Sequence, residues 1–135
     1  MSLLTDLFVA KESSASGYGP DSAARFDRAQ LGGLTNLEFE TLWAILLGQE
    51  WDVETHALRE VVAGDESWIH QFPPSYVAKL LTLGTAEMTS ASKKWAATEE
   101  VSATPEEMSP VIDALVRLAR SAHSKGEGLF LWTSL

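Results

Sequence analysis

The stretch from Thr35 to Gly48 carries a start signal, an apolar body and a stop signal for a single helix. Thr35 is placed to cap the first turn, and Glu38 is placed to reach back and close a capping box. Leu34 and Phe39 match a hydrophobic staple. Gly48 fits the left-handed stop. Between the two ends Phe39, Leu42, Trp43, Ile45, Leu46 and Leu47 leave almost no polar face in the last two turns. The helix is therefore expected to be enclosed by the rest of the chain. At 135 residues the chain fits one domain, in which folding removes about two thirds of the unfolded surface from water.

The other segments supply what must surround that helix. Leu3 to Ala10 reads as an interior strand, with Leu3, Leu7 and Val9 on one face and Leu4 and Phe8 on the other. Residues 11–21 lose that pattern to Ser, Ala and the break Gly17-Tyr18-Gly19-Pro20, and are read as a flexible loop. Ser22 to Gln30 has room for a short helix before Gly32-Gly33. Residues 53–63 fit a helical stripe or a strand, and a hairpin from Leu58 to Phe72 is the reading adopted. In it Gly64-Asp65 forms the two-residue turn, Trp68, His70 and Phe72 share a face, and Arg59 stands opposite His70.

Pro74 suits a first helical position, with a stripe of Tyr76, Val77, Leu80 and Leu81. Thr85 opens a helix whose inner face is Met88, Ala91, Ser92 and Trp95. Thr104-Pro105-Glu106-Glu107 repeats the cap logic, but Pro110 predicts a short turn at 105–108 and a separate or kinked helix from Pro110 to Gly126. Leu129 to Ser134 is a last strand, apolar on both faces and hence central. The predicted fold class is α+β. A small, mainly antiparallel sheet, made of the N-terminal strand, the central hairpin and the C-terminal strand, is covered by four or five helices.

Charge narrows the functional classes. The net charge is −9. Residues 1–66 carry twelve acids against four bases, a net −8, whereas residues 67–135 carry seven acids against six bases, a net −1. That acidic half argues against nucleic acid, whose binders present a basic stripe, and permits a basic protein partner. There is no Cys, so no disulfide, thiolate zinc site or cysteine nucleophile is expected. No apolar run approaches the ~20 residues of a membrane span, and no secretory signal is evident, so a cytoplasmic location is expected.

Two groups of residues are candidates for function. Trp51 follows the helix stop and stands among Glu50, Asp52 and Glu54. It either folds back over the end of the central helix or stands exposed as an aromatic anchor ringed by charge, with Tyr18 as a second contact. The second group is Asp52, Glu54 and His56, which alternate, so on an extended segment they would project to one side as a carboxylate and imidazole metal site requires. His70 between Trp68 and Phe72 reads as a shielded general base or, with Arg59 opposite it and no evident partner, as a half-buried structural histidine. No nucleophile elbow and no dinucleotide loop is present, and no cofactor is implied.

The expected function is a non-catalytic, protein-binding module of inhibitor or immunity type, acting through Glu50, Trp51, Asp52 and Glu54. The alternatives are a small metal-dependent or general-base enzyme using Asp52, Glu54, His56 and His70, and a small-molecule-binding domain with its pocket between sheet and helices.

Overall fold

The two ends of the chain meet in the middle of the sheet in the computed structural model, which describes residues 3–135. The first strand, β1 (Leu4–Ala10), runs antiparallel to the last, from Leu4 opposite Ser134 to Ala10 opposite Gly128. After β1 come a single helical turn, α1 (Glu12–Ala15), and a second strand, β2 (Asp27–Gly32), followed by the central helix, α2 (Asn36–Leu47). One further turn, α3 (Val53–His56), leads into the hairpin of β3 (Arg59–Ala63) and β4 (Ser67–Gln71). Three helices, α4 (Pro74–Leu81), α5 (Thr85–Ala96) and α6 (Pro105–Lys125), then precede β5 (Gly128–Ser134). The sheet order is β2-β1-β5-β4-β3, antiparallel at every pairing, and the fold class is α+β.

β1 and β5 are apolar on both faces because each face has its own cover. On one face Leu7, Val9, Leu129 and Leu131 join the inward sides of α2, α4, α5 and α6 in the larger core. On the other, Phe8, Phe130 and Trp132 are covered by Ala15, Tyr18 and Ala23, with Phe26 packed at the margin. The Ser- and Gly-rich segment supplies this second cover. Tyr18 stacks on Phe8 with ring centroids 3.9 Å apart, and its hydroxyl donates to the buried Asp6 carboxylate at 2.6 Å. Burial, then the neighbouring Asp6, raises the Tyr18 pKa far above that of a free phenol, so the hydroxyl stays a donor.

The central helix organises the larger core through its backbone as well as its side chains. Tyr76 of α4 donates to the Phe39 carbonyl at 2.7 Å, and the Trp95 indole of α5 donates to the Glu38 carbonyl at 2.8 Å. Both rings are fully buried, and each polar handle finds an acceptor on α2, as buried Tyr and Trp require. Thr35 is the cap, its Oγ1 accepting from the Leu37 amide at 3.3 Å, while Glu38 meets the Thr35 hydroxyl. Gly48 stops the helix at φ 67°, and the Gln49 and Gly48 amides return to the Ala44 and Ile45 carbonyls.

Five expectations are corrected. The central helix is not enclosed: Leu37 and Leu47 are exposed, and Ile45 and Leu46 are half-buried. It lies in a layer over a sheet, so its outer side faces solvent although it is apolar. The short helix expected within Ser22 to Gln30 is a 3-10 turn at Ala23–Arg25 followed by β2. As an edge strand, half-buried through Ala29 and Leu31, β2 carries too weak an apolar alternation to be read.

The hairpin forms, but Gly64 pairs back onto Ser67 and the turn is Asp65-Glu66. An irregularity between Glu60 and Val62 shifts the register again. Glu60 therefore stands opposite His70, and Arg59 opposite Gln71. Residues 53–56 are a helical turn, so the alternation of Asp52, Glu54 and His56 does not align them. Lastly, Pro110 lies inside one continuous helix from Pro105 to Lys125. Its ring removes the amide that would bond the Glu106 carbonyl, and both residues are exposed, so that carbonyl faces solvent rather than a dry core.

Candidate functional site

The segment leaving α2 is built as a short, tied loop. Gly48 turns the chain sharply, after which the His56 imidazole, 1% exposed, holds the loop at two points. Its Nδ1 accepts the Asp52 amide at 2.9 Å, and its Nε2 lies 2.9 Å from the Gln49 side-chain oxygen. Nδ1 must be unprotonated to accept an N–H, so the ring proton sits on Nε2 and is donated to Gln49. One imidazole thus bridges Gln49 and Asp52 and pushes the intervening Glu50 and Trp51 outward.

Asp52 fixes the far end of the loop. Its carboxylate accepts the Thr55 hydroxyl at 2.6 Å, and its carbonyl accepts the His56 amide at 2.9 Å. The Thr55 hydroxyl, with help from the Glu54 and Thr55 amides, holds the Asp52 pKa below the ordinary carboxylate value. Asp52 is therefore charged at neutral pH.

Trp51 stands 46% exposed, with Val53 at 57% and Leu47 at 37%. Glu50, Asp52 and Glu54 are exposed around them. Of the two readings of Trp51, the exposed one is the one found. Three exposed apolar side chains and three exposed carboxylates therefore share the segment from Leu47 to Glu54, whose loop the His56 imidazole holds. Tyr18 is not part of it, being buried against the other face of the sheet.

The four residues of the enzyme alternative have separate fates. Asp52 and Glu54 are exposed, and His56 is buried with both ring nitrogens engaged. His70 lies on β4 opposite Leu131, and its buried Nδ1 has no hydrogen-bond partner. Burial lowers its pKa against the opposing pull of Glu60 and Glu40, so the ring is neutral at pH 7. Arg59 is not its neighbour across the strands. Among the described residues no group of three or more His, Asp or Glu side chains is arranged to hold a metal ion.

Two buried acids, Asp6 and Glu40, escaped the sequence reading. Glu40, 3% exposed on α2, accepts the Asn36 side-chain amide at 3.0 Å and the Leu58 backbone amide at 3.1 Å. It ties the central helix to the start of the hairpin and so fixes where the loop of residues 49–57 ends. The signal was its place on the buried stripe one turn after Asn36, between Phe39 and Trp43.

No helix among the described residues is long and apolar enough to cross a membrane. No protein-family model, curated protein or solved structure matches the chain.

Proposed function

We propose that this protein is a non-catalytic binding module of inhibitor or immunity type. It engages a basic protein partner through Glu50, Trp51, Asp52 and Glu54, with the exposed Leu47 and Val53 as further apolar contacts. The observation that carries this reading is Trp51, nearly half exposed on a loop that the His56 imidazole holds in shape. A large aromatic left in water is costly unless something covers it, and a fixed ring loses little entropy when it is covered. The three carboxylates give that cover a sign. They repel acidic surfaces and steer a basic one during encounter. This reading places the protein in the cytoplasm and assigns no role to nucleic acid or membrane.

The test compares the wild-type protein, immobilised, with two variants in lysate of the native cells at low and high salt. Trp51→Ala is expected to weaken retention of the partner by at least about 2 kcal/mol, roughly thirtyfold, mainly through faster dissociation. Replacing Glu50 and Glu54 with Gln, and Asp52 with Asn, is expected to flatten the salt dependence of association. Recovery of no salt-sensitive basic protein, or equal recovery on wild type and Trp51→Ala, would count against the binding reading.

A further inference from the structure

At the end of the sheet where β1 leads into α1 and α6 leads into β5, two recesses open side by side. The first, about 510 Å3, lies between α4 and the last turn of α6. Phe72 and Leu129 form its floor, and Val77, Ala78 and Leu81 form one wall. That volume and apolar lining suit a small organic ligand. Its rim is shaped by Gln71, 8% exposed, whose amide donates to Glu12 at 3.0 Å and so holds α1 against the end of β4. A side chain at Gly128 would meet the Phe130 ring at 3.0 Å and the Gln71 amide at 3.1 Å, so this wall stays bare.

The second recess, about 450 Å3, differs in kind. Lys11, Arg25 and Lys125 line it together with Ser14 and Phe26. Among the described residues none of these three cations is in an ion pair. Two acids also line the recess, Asp27 and Glu127. Asp27 is engaged by Arg117, 3.2 Å away, and also feels Lys125, so the recess holds three cations against two acids. In a chain of net charge −9 with ten bases in all, a hollow where three bases outnumber two acids is a local reversal of sign. Lys11 and Glu127 line both recesses, so the apolar and the basic hollow share a border.

We propose that the paired recesses bind a small amphiphile, its apolar body between α4 and α6 and its anionic head, a carboxylate or a phosphate, among Lys11, Arg25 and Lys125. The site shares no residue with the Trp51 surface, and the two stand or fall separately.

Three probes of equal chain length test it: decanoate, decyl phosphate and decylammonium, titrated below micelle formation into the isotopically labelled protein and followed by amide NMR shifts. At least one of the two anions is expected to bind, moving the amides of Lys11, Gly126 and Gly128. The tighter of the two identifies the head group as carboxylate or phosphate. Decylammonium is expected to bind at least about tenfold more weakly. Lys11→Gln combined with Lys125→Gln should weaken anion binding by a similar factor while the amide spectrum of the protein stays that of the folded wild type, since both side chains are exposed. Ala78→Trp, which fills the apolar recess from an exposed position, should abolish binding of the chain. The proposal is overturned if neither anion shifts these amides, if decylammonium binds as tightly, or if the double variant binds as the wild type does.

Discussion

His56 and His70 are both buried and do opposite things. His56 has a partner on each nitrogen and holds the loop beneath Trp51; His70 has a buried nitrogen with none. Replacing His56 with Phe keeps a ring in the space but leaves the Asp52 amide without its acceptor, at a cost of about 1–3 kcal/mol. The expected result is a lower denaturant midpoint together with faster hydrogen exchange confined to residues 49–56. Unchanged exchange there would mean that the imidazole does not hold the loop.

His70 governs a pH dependence whose sign follows from its environment. Its folded pKa lies below the ordinary 6.5 because burial opposes the charged ring. As pH falls below about 6.5 the unfolded chain takes up the proton first, so stability is lost on acidification and is fully present above that value. His70→Phe removes both the unpartnered nitrogen and this slope. Unfolding measured between about pH 7 and pH 5 should show the variant gaining on the wild type as pH falls; a constant difference would contradict the assignment. The types of these residues were legible in the sequence and their roles were not. Whether a histidine is a bridge or an unpartnered base depends on Gln49, Asp52 and Glu60, which only loop closure and strand register bring to it.

The helices show how local chemistry and long-range packing divide the work. Thr35 and Thr104 cap α2 and α6, and Gly48 and Gly126 end them in the left-handed conformation. All four are legible as helix ends because a cap needs only its near neighbours in sequence, but Thr104 reads as the cap of a short turn, with Ser109 as that of the main helix, which instead runs through Ser109. Thr35→Ala should therefore lower stability by ~1 kcal/mol, seen as a shifted denaturant midpoint with unchanged slope.

Pro110 does not separate the helix into two, because the cost of its ring depends on surroundings that the sequence around it does not show. In an exposed second turn it removes one amide and leaves a solvent-facing carbonyl. Pro110→Ala should restore that hydrogen bond and raise stability by ~1–3 kcal/mol, after allowing for the freer unfolded chain. A destabilised variant would mean that the ring makes packing contacts the helix needs. β2 and the hairpin register were missed for another reason. An edge strand is specified by its neighbour β1, and the Asp65-Glu66 turn by a pairing that no single segment encodes.

For the molecule as a whole, the surplus of acid in the first half and the apolar outer side of α2 lead to the same place. The sequence showed a helix with almost no polar face, and enclosure was the natural reading. Only one side of α2 packs into the larger core, so Leu47 is exposed in the chain that leads to Trp51. The neighbours of Trp51, a helix stop and three acids, left it either folded back over the end of α2 or exposed, and only the closed loop decides for exposure. What the sequence did not reveal is that Gln49, Asp52 and His56 fix the loop, and that turns an exposed tryptophan into a shaped surface.

The most direct test is to replace Trp51 with the photocrosslinker p-benzoylphenylalanine, express the protein in its native cells, and irradiate. The same replacement at Glu99, exposed in the turn after α5, serves as control. The binding account predicts one dominant adduct with a basic protein from position 51, absent from position 99 and reduced when Glu50, Asp52 and Glu54 are neutralised. No adduct from position 51, or the same set of adducts from both positions, would contradict it.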